Sequence, residues 1–327
     1  MNRPDPRRLK AIPTVYSYYF PELRSLVSDL TRRFPHDVFL RSMDPGLDDF
    51  HEPVIEKFLS HQQAAVPDLR KFRHRYPTAG AEEAIREFMT ELSLSGEERV
   101  YTLEGDYEGY RAIAETRGLT TVEAKLNDDP WELPPGTWFL SNPSARNGNF
   151  LPEEFVPKLC DAGHKIFYDL SYLGSTPFHR YDLSHPNIVA ATVDFSKPYG
   201  LFYYRIGFTF SRRPITVLHA NKWFKNIFSL LVADKVMDSI GPMELPMRYR
   251  PVQKRILERV NAETGLGLKP SDSLLVAWRD SVGLSAAQAK ALAKFKRARA
   301  YRLCLTPYFL ELERKAPISV AGAARGS

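Results

Sequence analysis

The 327-residue chain has only two cysteines, Cys160 and Cys304. That excludes a disulfide scaffold and a thiolate metal site, and it fits a reducing compartment. No run of about 18 apolar residues occurs, so no segment reads as a membrane span. The opening MNRPDPRRLKAIP is basic but lacks the apolar stretch of a secretory signal. A cytoplasmic protein is therefore expected. Internal repeats and low-complexity segments are missing too, which excludes solenoid arrays. The net charge of +6 is moderately basic, yet no nucleic-acid-binding motif accompanies it. The sharpest basic block, AKALAKFKRARAYR from Ala289 to Arg302, reads as the solvated face of a helix. Its apolar stripe is Leu292, Phe295 and Ala298. Neither a nucleic acid nor a membrane is an expected partner, and no metal site is expected.

What is present is a long globular chain. It is long for one compact domain, so a large unit plus a smaller one is expected. Residues 1–75 read as an N-terminal arm with helices, over Pro21 to Phe34 and Glu52 to Gln62. Residues 41–49, RSMDPGLDD, read as a loop. From Thr78 the pattern alternates. Helices are predicted over Ala81 to Leu94, Tyr110 to Thr116 and Pro152 to Ala162. Short apolar strands are predicted over Arg99 to Leu103, Thr121 to Ala124, Thr137 to Ser141, Ile166 to Tyr168 and Val189 to Phe195. Such alternation indicates an α/β fold with a mostly parallel sheet sandwiched by helices. The stretch Tyr203 to Phe210 follows after too short a turn for a parallel crossover, so it is expected to run antiparallel. A long helix is expected over Pro214 to Ile240. The rest, 242–327, reads as a smaller α+β domain with a helix over Val252 to Glu263, a strand over Leu274 to Trp278, a helix over Ser285 to Arg299 and a strand over Tyr301 to Leu305. Residues 76–241 form the large domain in this reading.

Five features carry chemistry. Lys197 ends an apolar strand in VDFSKPYG. Shielded from water, its amine would have a lowered pKa and serve as a nucleophile toward a carbonyl. Alone, such a lysine reads as a surface residue. In YPTAGAEEAI, Ala79, Gly80 and Ala81 precede a helix and offer free backbone N–H groups to a phosphate. Asp169 ends the strand in FYDLSY, with Tyr172 three residues on. Asn142 and Pro143 end WFLSNP. Arg205 lies eight residues after Lys197, among aromatic strand residues, where it would pair with an anion.

Taken in order, these landmarks resemble the aspartate aminotransferase superfamily, the fold type I pyridoxal-phosphate enzymes. The set is a small-residue turn at Gly80 and Ala81, a stacking aromatic at Tyr107 in GDYEGY, the Asn142–Pro143 pair, Asp169 with Tyr172, and Ser196–Lys197 with Arg205. The likeness is clear over residues 76–212. It implies a seven-stranded sheet, pyridoxal 5′-phosphate as cofactor and a homodimer. Lys197 would hold the cofactor as a Schiff base and move the substrate proton. Asp169 would keep the pyridine nitrogen protonated, Tyr172 and Asn142 would bond the ring oxygen, and Tyr107 would stack on the ring. Ala79, Gly80, Ala81, Ser196 and Arg205 would hold the phosphate. Arg302, in YRLCLTP, would bind the α-carboxylate of an amino-acid substrate.

The sequence departs from this pattern in three places. Asp194, three residues before the lysine, stands where the family often has Ser or Thr touching phosphate. In NPSARNG, matching the family's glycine at Gly148 puts Ala145 at the ring-oxygen position, whereas the spacing of 27 to Asp169 selects Asn142. Asn142 is preferred, because an amide is needed there. The regions before Gly80 and after residue 241 are abbreviated, which suggests a specialised enzyme with an open site or a large or carrier-bound substrate. The reaction expected is amino transfer from an amino acid to a 2-oxo acid. Elimination, replacement, decarboxylation or cyclisation on the same cofactor is the alternative, since the shared landmarks do not choose the bond that breaks.

Overall fold

The computed structural model describes residues 3–15, 20–32, 49–223 and 225–315. Most of the loop expected over 41–49 lies outside them. The large sheet contains β1 (His74–Thr78), β2 (Arg99–Leu103), β3 (Thr120–Ala124), β4 (Thr137–Ser141), β5 (Lys165–Asp169), β6 (Ile188–Asp194) and β7 (Gly207–Ser211). Its order is β1-β7-β6-β5-β4-β2-β3. Strands β3, β2, β4, β5 and β6 are parallel, while β7 runs antiparallel to both β6 and β1. The seven-stranded α/β sheet expected from the sequence is thus present, with the antiparallel return after Lys197. Strand β1 was not foreseen. Its HRYPT contains a proline, which a central strand rarely tolerates, but β1 lies at the sheet edge.

Helices α1 (Pro21–Arg32), α2 (His51–His61), α3 (Ala81–Leu94), α4 (Glu108–Thr116) and α5 (Phe155–Asp161) surround this sheet together with later helices. The central strands are mostly buried, and β4 is TWFLS with every residue buried, as a sheet covered on both faces requires, whereas the edge strand β3 has no buried residue. Phe139 and Phe167 stack with centroids 5.0 Å apart, both fully buried. Each such side chain contributes roughly 2–3 kcal/mol of transfer free energy.

The single helix expected over Pro214 to Ile240 is two. They are α7 (Thr216–Ala220) and α8 (Ile227–Ser239), after the one-turn α6 (Ser196–Tyr199). Asn226 caps α8, its side chain accepting from the Ser229 N–H, so a local side-chain bond favours a restart over continuation. The chain continues through the long α9 (Glu244–Thr264) to a second sheet. That sheet holds β8 (Lys269–Pro270), β9 (Val276–Asp280), β10 (Lys296–Arg297) and β11 (Ala300–Cys304), in the order β10-β11-β9-β8. Between β9 and β10, α10 (Ala286–Leu292) ends seven residues short of the expected Arg299, and α11 (Thr306–Lys315) follows β11. The basic block therefore continues into a strand hairpin with Ala298 at φ +50° rather than along one helix face.

Candidate active site

Strand register sets the site. Ser141 lies opposite Asp169, Asp169 opposite Thr192, Asp194 opposite Gly207, and Gly207 opposite Thr78. The C-terminal ends of β1, β4, β5 and β6 therefore share one sheet edge, where open α/β sheets bind ligands. A cavity of about 390 Å³ opens there, with Ala81, Tyr107, Asp169, Tyr172, Lys197 and Arg302 among its walls.

Lys197 sits in α6, just past the end of β6, and Gly200 stops that turn at φ +69°. Its Nζ lies 4.9 Å over the centroid of the Tyr172 ring. Burial pushes this ammonium toward losing its proton, but Tyr172, Asp194 and Asp169 outweigh that and hold the pKa above its ordinary value. The lowered pKa expected from the sequence is corrected here: a shielded lysine among acidic groups keeps its charge. The Tyr172 hydroxyl is buried and has no hydrogen-bond partner among the described residues.

Asp169 is 5% exposed. Its Oδ1 accepts from the Ser171 N–H at 2.9 Å and the Ser171 hydroxyl at 2.5 Å. Its Oδ2 accepts from the Tyr110 hydroxyl at 2.9 Å. Burial raises the Asp169 pKa, while Lys197 and the hydrogen-bond donors work against that rise. Tyr107 starts α4, and its ring packs edge-on against Tyr110 with centroids 5.3 Å apart. A Cβ at position 109 would come within 2.2 Å of the Tyr107 ring, so only glycine allows the ring to fold back there.

Sequence reasoning missed Tyr110 and Asp106. The Asp106 carboxylate accepts from the Ser141 hydroxyl, from the Ser141 N–H at 3.4 Å and from the Ala145 N–H at 3.0 Å. It thereby pins the loop after β4. Burial lifts its pKa to about 6 against those donors. The signal was present in GDYEGY, where a carboxylate directly follows a buried strand and a glycine.

Arg302 lies in β11 and is 5% exposed. It donates to the Ala145 carbonyl at 2.7 Å and the Pro13 carbonyl at 3.2 Å, and its Nε is buried without a partner among the described residues. Among the described residues no carboxylate lies within 4.0 Å of it. A buried guanidinium on a cavity wall with a spare donor suits an anionic ligand.

The other end of the cavity holds the anion-binding features. Gly80 precedes α3 at φ +83°, and a Cβ there would meet Arg205 Nη2 at 2.7 Å and Asp194 Oδ2 at 2.9 Å. Arg205 is not in a strand; it follows a 3-10 turn at φ +51° and donates to the Ala79 carbonyl at 2.7 Å and the Phe202 carbonyl at 3.3 Å. Ser196 is buried beside it on the cavity wall. The Asp194 carboxylate accepts from the Ala81 N–H at 3.2 Å and from the Ser196 N–H.

Two expected residues are not brought in. The Ala79 N–H donates instead to the Glu83 carboxylate at 2.6 Å. The Asn142 amide donates to the Tyr168 hydroxyl at 2.6 Å and accepts from the Leu151 N–H at 3.1 Å, so both ends are used away from the cavity. Ala145 lines the cavity in its place. Among the described residues no group of three His, Cys, Asp or Glu side chains gathers as a metal site.

No family model matches the chain. Over 152 residues it is 27% identical to the histidinol-phosphate aminotransferase of Gloeobacter violaceus, a stretch that covers 42% of this chain and 43% of that protein. Over 153 residues it is 29% identical to the histidinol-phosphate aminotransferase of Syntrophotalea carbinolica, covering 44% and 43%. The match thus spans less than half the length of these relatives. Among solved structures, the histidinol-phosphate aminotransferase of Clostridium acetobutylicum superimposes with a TM-score of 0.66 at 14% identity, over 91% of this chain and 96% of that one. The Sinorhizobium meliloti enzyme, in complex with pyridoxal-5′-phosphate, gives 0.64 at 18%, over 93% and 90%. The L-threonine-O-3-phosphate decarboxylase of Porphyromonas gingivalis gives 0.64 at 14%, over 92% and 99%. The chain therefore has the fold of the fold type I pyridoxal-phosphate-dependent enzymes.

Proposed function

We propose that this protein is a pyridoxal-phosphate-dependent aminotransferase acting on an amino acid or an amino-acid derivative. The observation that carries the reading is the constellation on one cavity wall: Lys197 over the Tyr172 ring, whose hydroxyl lacks a partner, with buried Asp169 beside them. The ring end of the site fits the cofactor. Asp169 has a carboxylate oxygen for a pyridine N–H, Tyr172 has a free hydroxyl for the ring oxygen, and Tyr107 offers an aromatic face. When bound, the cofactor supplies an electron sink that weakens the bonds at the substrate Cα. Lys197 would be the amine that holds the cofactor's aldehyde and the group that would carry the proton at the substrate Cα. Arg302 orients the substrate carboxylate. Amino transfer begins with loss of the Cα proton, which Lys197 is placed to take.

Decarboxylation is the second reading, since the Porphyromonas gingivalis decarboxylase superimposes as well as the Sinorhizobium meliloti aminotransferase does, both at a TM-score of 0.64. Incubating the purified protein with pyridoxal phosphate and a panel of amino acids and phosphorylated amino acids tests both. An absorbance band near about 420 nm, absent in Lys197→Ala, is expected, followed by pyridoxamine phosphate formation. A colourless protein that takes up no cofactor would refute the reading. Amine and carbon dioxide release without pyridoxamine would select decarboxylation. A homodimer belongs to the same proposal; Tyr203, next to cavity-lining Phe202, is 86% exposed, and light scattering at the mass of one chain would refute it. A reducing compartment such as the cytoplasm belongs to the same proposal, supported by a sequence with only two cysteines. Among the described residues no helix is long and apolar enough to cross a membrane.

A further inference from the structure

The end of the cavity away from Asp169 is built to hold an anion. The N–H of Ala81 opens the 14-residue helix α3, and the N–H of Ser196 opens α6. Arg205 brings a guanidinium over the same spot, close enough that only a glycine fits at position 80. Aligned N–H groups at a helix start and a nearby arginine are what a phosphate needs. Yet an anion is already there. Asp194 Oδ2 takes the Ala81 N–H and Oδ1 takes the Ser196 N–H. Both donors are therefore satisfied by the chain itself.

This placement is fixed by the fold. Asp194 is the last residue of β6, paired with Gly207, and a Cβ at 207 would run into the Val193 carbonyl at 2.4 Å and the Gly80 Cα at 3.1 Å. That tight contact holds the turn before α3 against the end of β6. The Asp194 side chain lies half-buried on the cavity wall between the two donors. Charge balance also keeps it in place. Asp194 supports the Lys197 ammonium, and that attraction holds the carboxylate at this end of the cavity. Arg205 spends its Nη groups on the carbonyls of Ala79 and Phe202, and no carboxylate among the described residues lies within 4.0 Å of it. A dianionic phosphate entering here would lose two N–H donors to Asp194 and meet its charge at close range.

We propose that Asp194 is an internal anion filling the phosphate cradle, so that the site takes a pyridoxal-type ligand with little preference for its phosphate. This rests on the cofactor reading above for the identity of the ligand, but the cradle itself can be tested without that reading. The ring end, with Lys197, Asp169 and Tyr172, then supplies most of the affinity.

The test uses the full-length, cofactor-free protein and the variants Asp194→Asn and Asp194→Ser. Asn keeps the shape and the acceptor oxygen without the charge; Ser removes both. The first measurement is calorimetric titration with inorganic phosphate. Phosphate affinity should rise by about 10-fold or more in Asp194→Asn, and the gain should vanish when Arg205→Gln is added. The second is fluorescence titration with pyridoxal phosphate and with unphosphorylated pyridoxal. In the unaltered protein the two dissociation constants should lie within about 10-fold of each other, and either variant should widen that ratio by about 10-fold or more by tightening only the phosphorylated ligand. Unchanged phosphate affinity in Asp194→Asn, or a strong preference for the phosphorylated ligand in the unaltered protein, would overturn the proposal. If phosphate binding tightens in the variants while neither pyridoxal form binds anywhere, the cradle assignment stands and the cofactor reading falls. Should Asp194→Ser fail to fold, Asp194→Asn carries the test alone.

Discussion

Lys197 holds its ammonium 4.9 Å above the Tyr172 ring, and that ring's own hydroxyl is buried with no partner. The tyrosine thus supports the charge of the lysine while keeping an unused polar group in the cavity. An unsatisfied buried hydroxyl costs about 1–3 kcal/mol. The arrangement stores instability in the chain alone that a ligand's oxygen can relieve.

The first prediction follows from that pair. Tyr172→Phe should leave the melting temperature equal or higher, because it removes an unsatisfied hydroxyl and keeps the ring. The same variant should lower the Lys197 pKa, since Tyr172 is the foremost group raising it against burial. NMR titration of isotopically labelled lysine checks the pKa, and calorimetry checks the stability. A large loss of stability would show that the hydroxyl has a partner.

Gly80→Ala tests the anion end. At φ +83° an alanine is strained, at about 1–3 kcal/mol. Its methyl would also stand 2.7 Å from Arg205 Nη2 and 2.9 Å from Asp194 Oδ2. The flexible Arg205 end can retreat, and Asp194 is less able to. Chemical denaturation should show a drop of about 1–3 kcal/mol. Pyridoxal phosphate affinity should change by less than about 10-fold, because the ring end of the cavity supplies most of it.

Asp106 gives the pH dependence. Its folded pKa of about 6 lies above the ordinary 3.8, so the folded chain binds the extra proton between those values. Stability then falls as pH rises through that window, by on the order of 3 kcal/mol once ionisation is complete. Asp106→Asn removes the titration and keeps an oxygen for the Ser141 hydroxyl and the Ala145 N–H. Urea midpoints measured from pH 4 to pH 7 should fall in the original protein, and this contribution to the slope should be absent in the variant. Identical slopes would place the Asp106 pKa near its ordinary value.

The parallel sheet was legible because its strands are short, apolar and separated by helices with 3.6-residue periodicity. The cavity residues on strand ends, Asp169 and the Ser196–Lys197 pair, were legible because charge at the end of an apolar run is costly unless used. Asn142 misled because spacing along the chain fixes neither side-chain direction nor partner: its amide turns to Tyr168 and Leu151. Arg205 was read as a strand residue because its aromatic neighbours alternate, but a left-handed φ takes it out of the ladder. Asp106 and Tyr110 escaped notice since each acts through a contact distant in sequence, with Ser141 and Asp169 respectively. The Lys197 pKa was misjudged for a similar reason. Burial can be guessed from a pattern, whereas the acids around the ammonium come from separate strands.

Arg302 provides the last prediction, on substrate recognition. Among the described residues its guanidinium bonds only the carbonyls of Ala145 and Pro13 and leaves Nε without a partner, although the residue is 5% exposed. A cation kept in that state is poised for a carboxylate, and hydrogen bonds to charged groups contribute about 1.5–3 kcal/mol. Arg302→Gln should therefore raise KM for an amino-acid substrate by about 10- to 100-fold, with a smaller change in kcat. Arg302→Lys should rescue little, because an ammonium cannot present two parallel donors while keeping both carbonyl bonds. Cofactor uptake, read from the visible band, should be unchanged in both variants. If Arg302 only ties the Pro13 and Ala145 segments together, the melting temperature and cofactor uptake will fall instead while KM stays put. Those two sets of readings separate a substrate-binding arginine from a structural one.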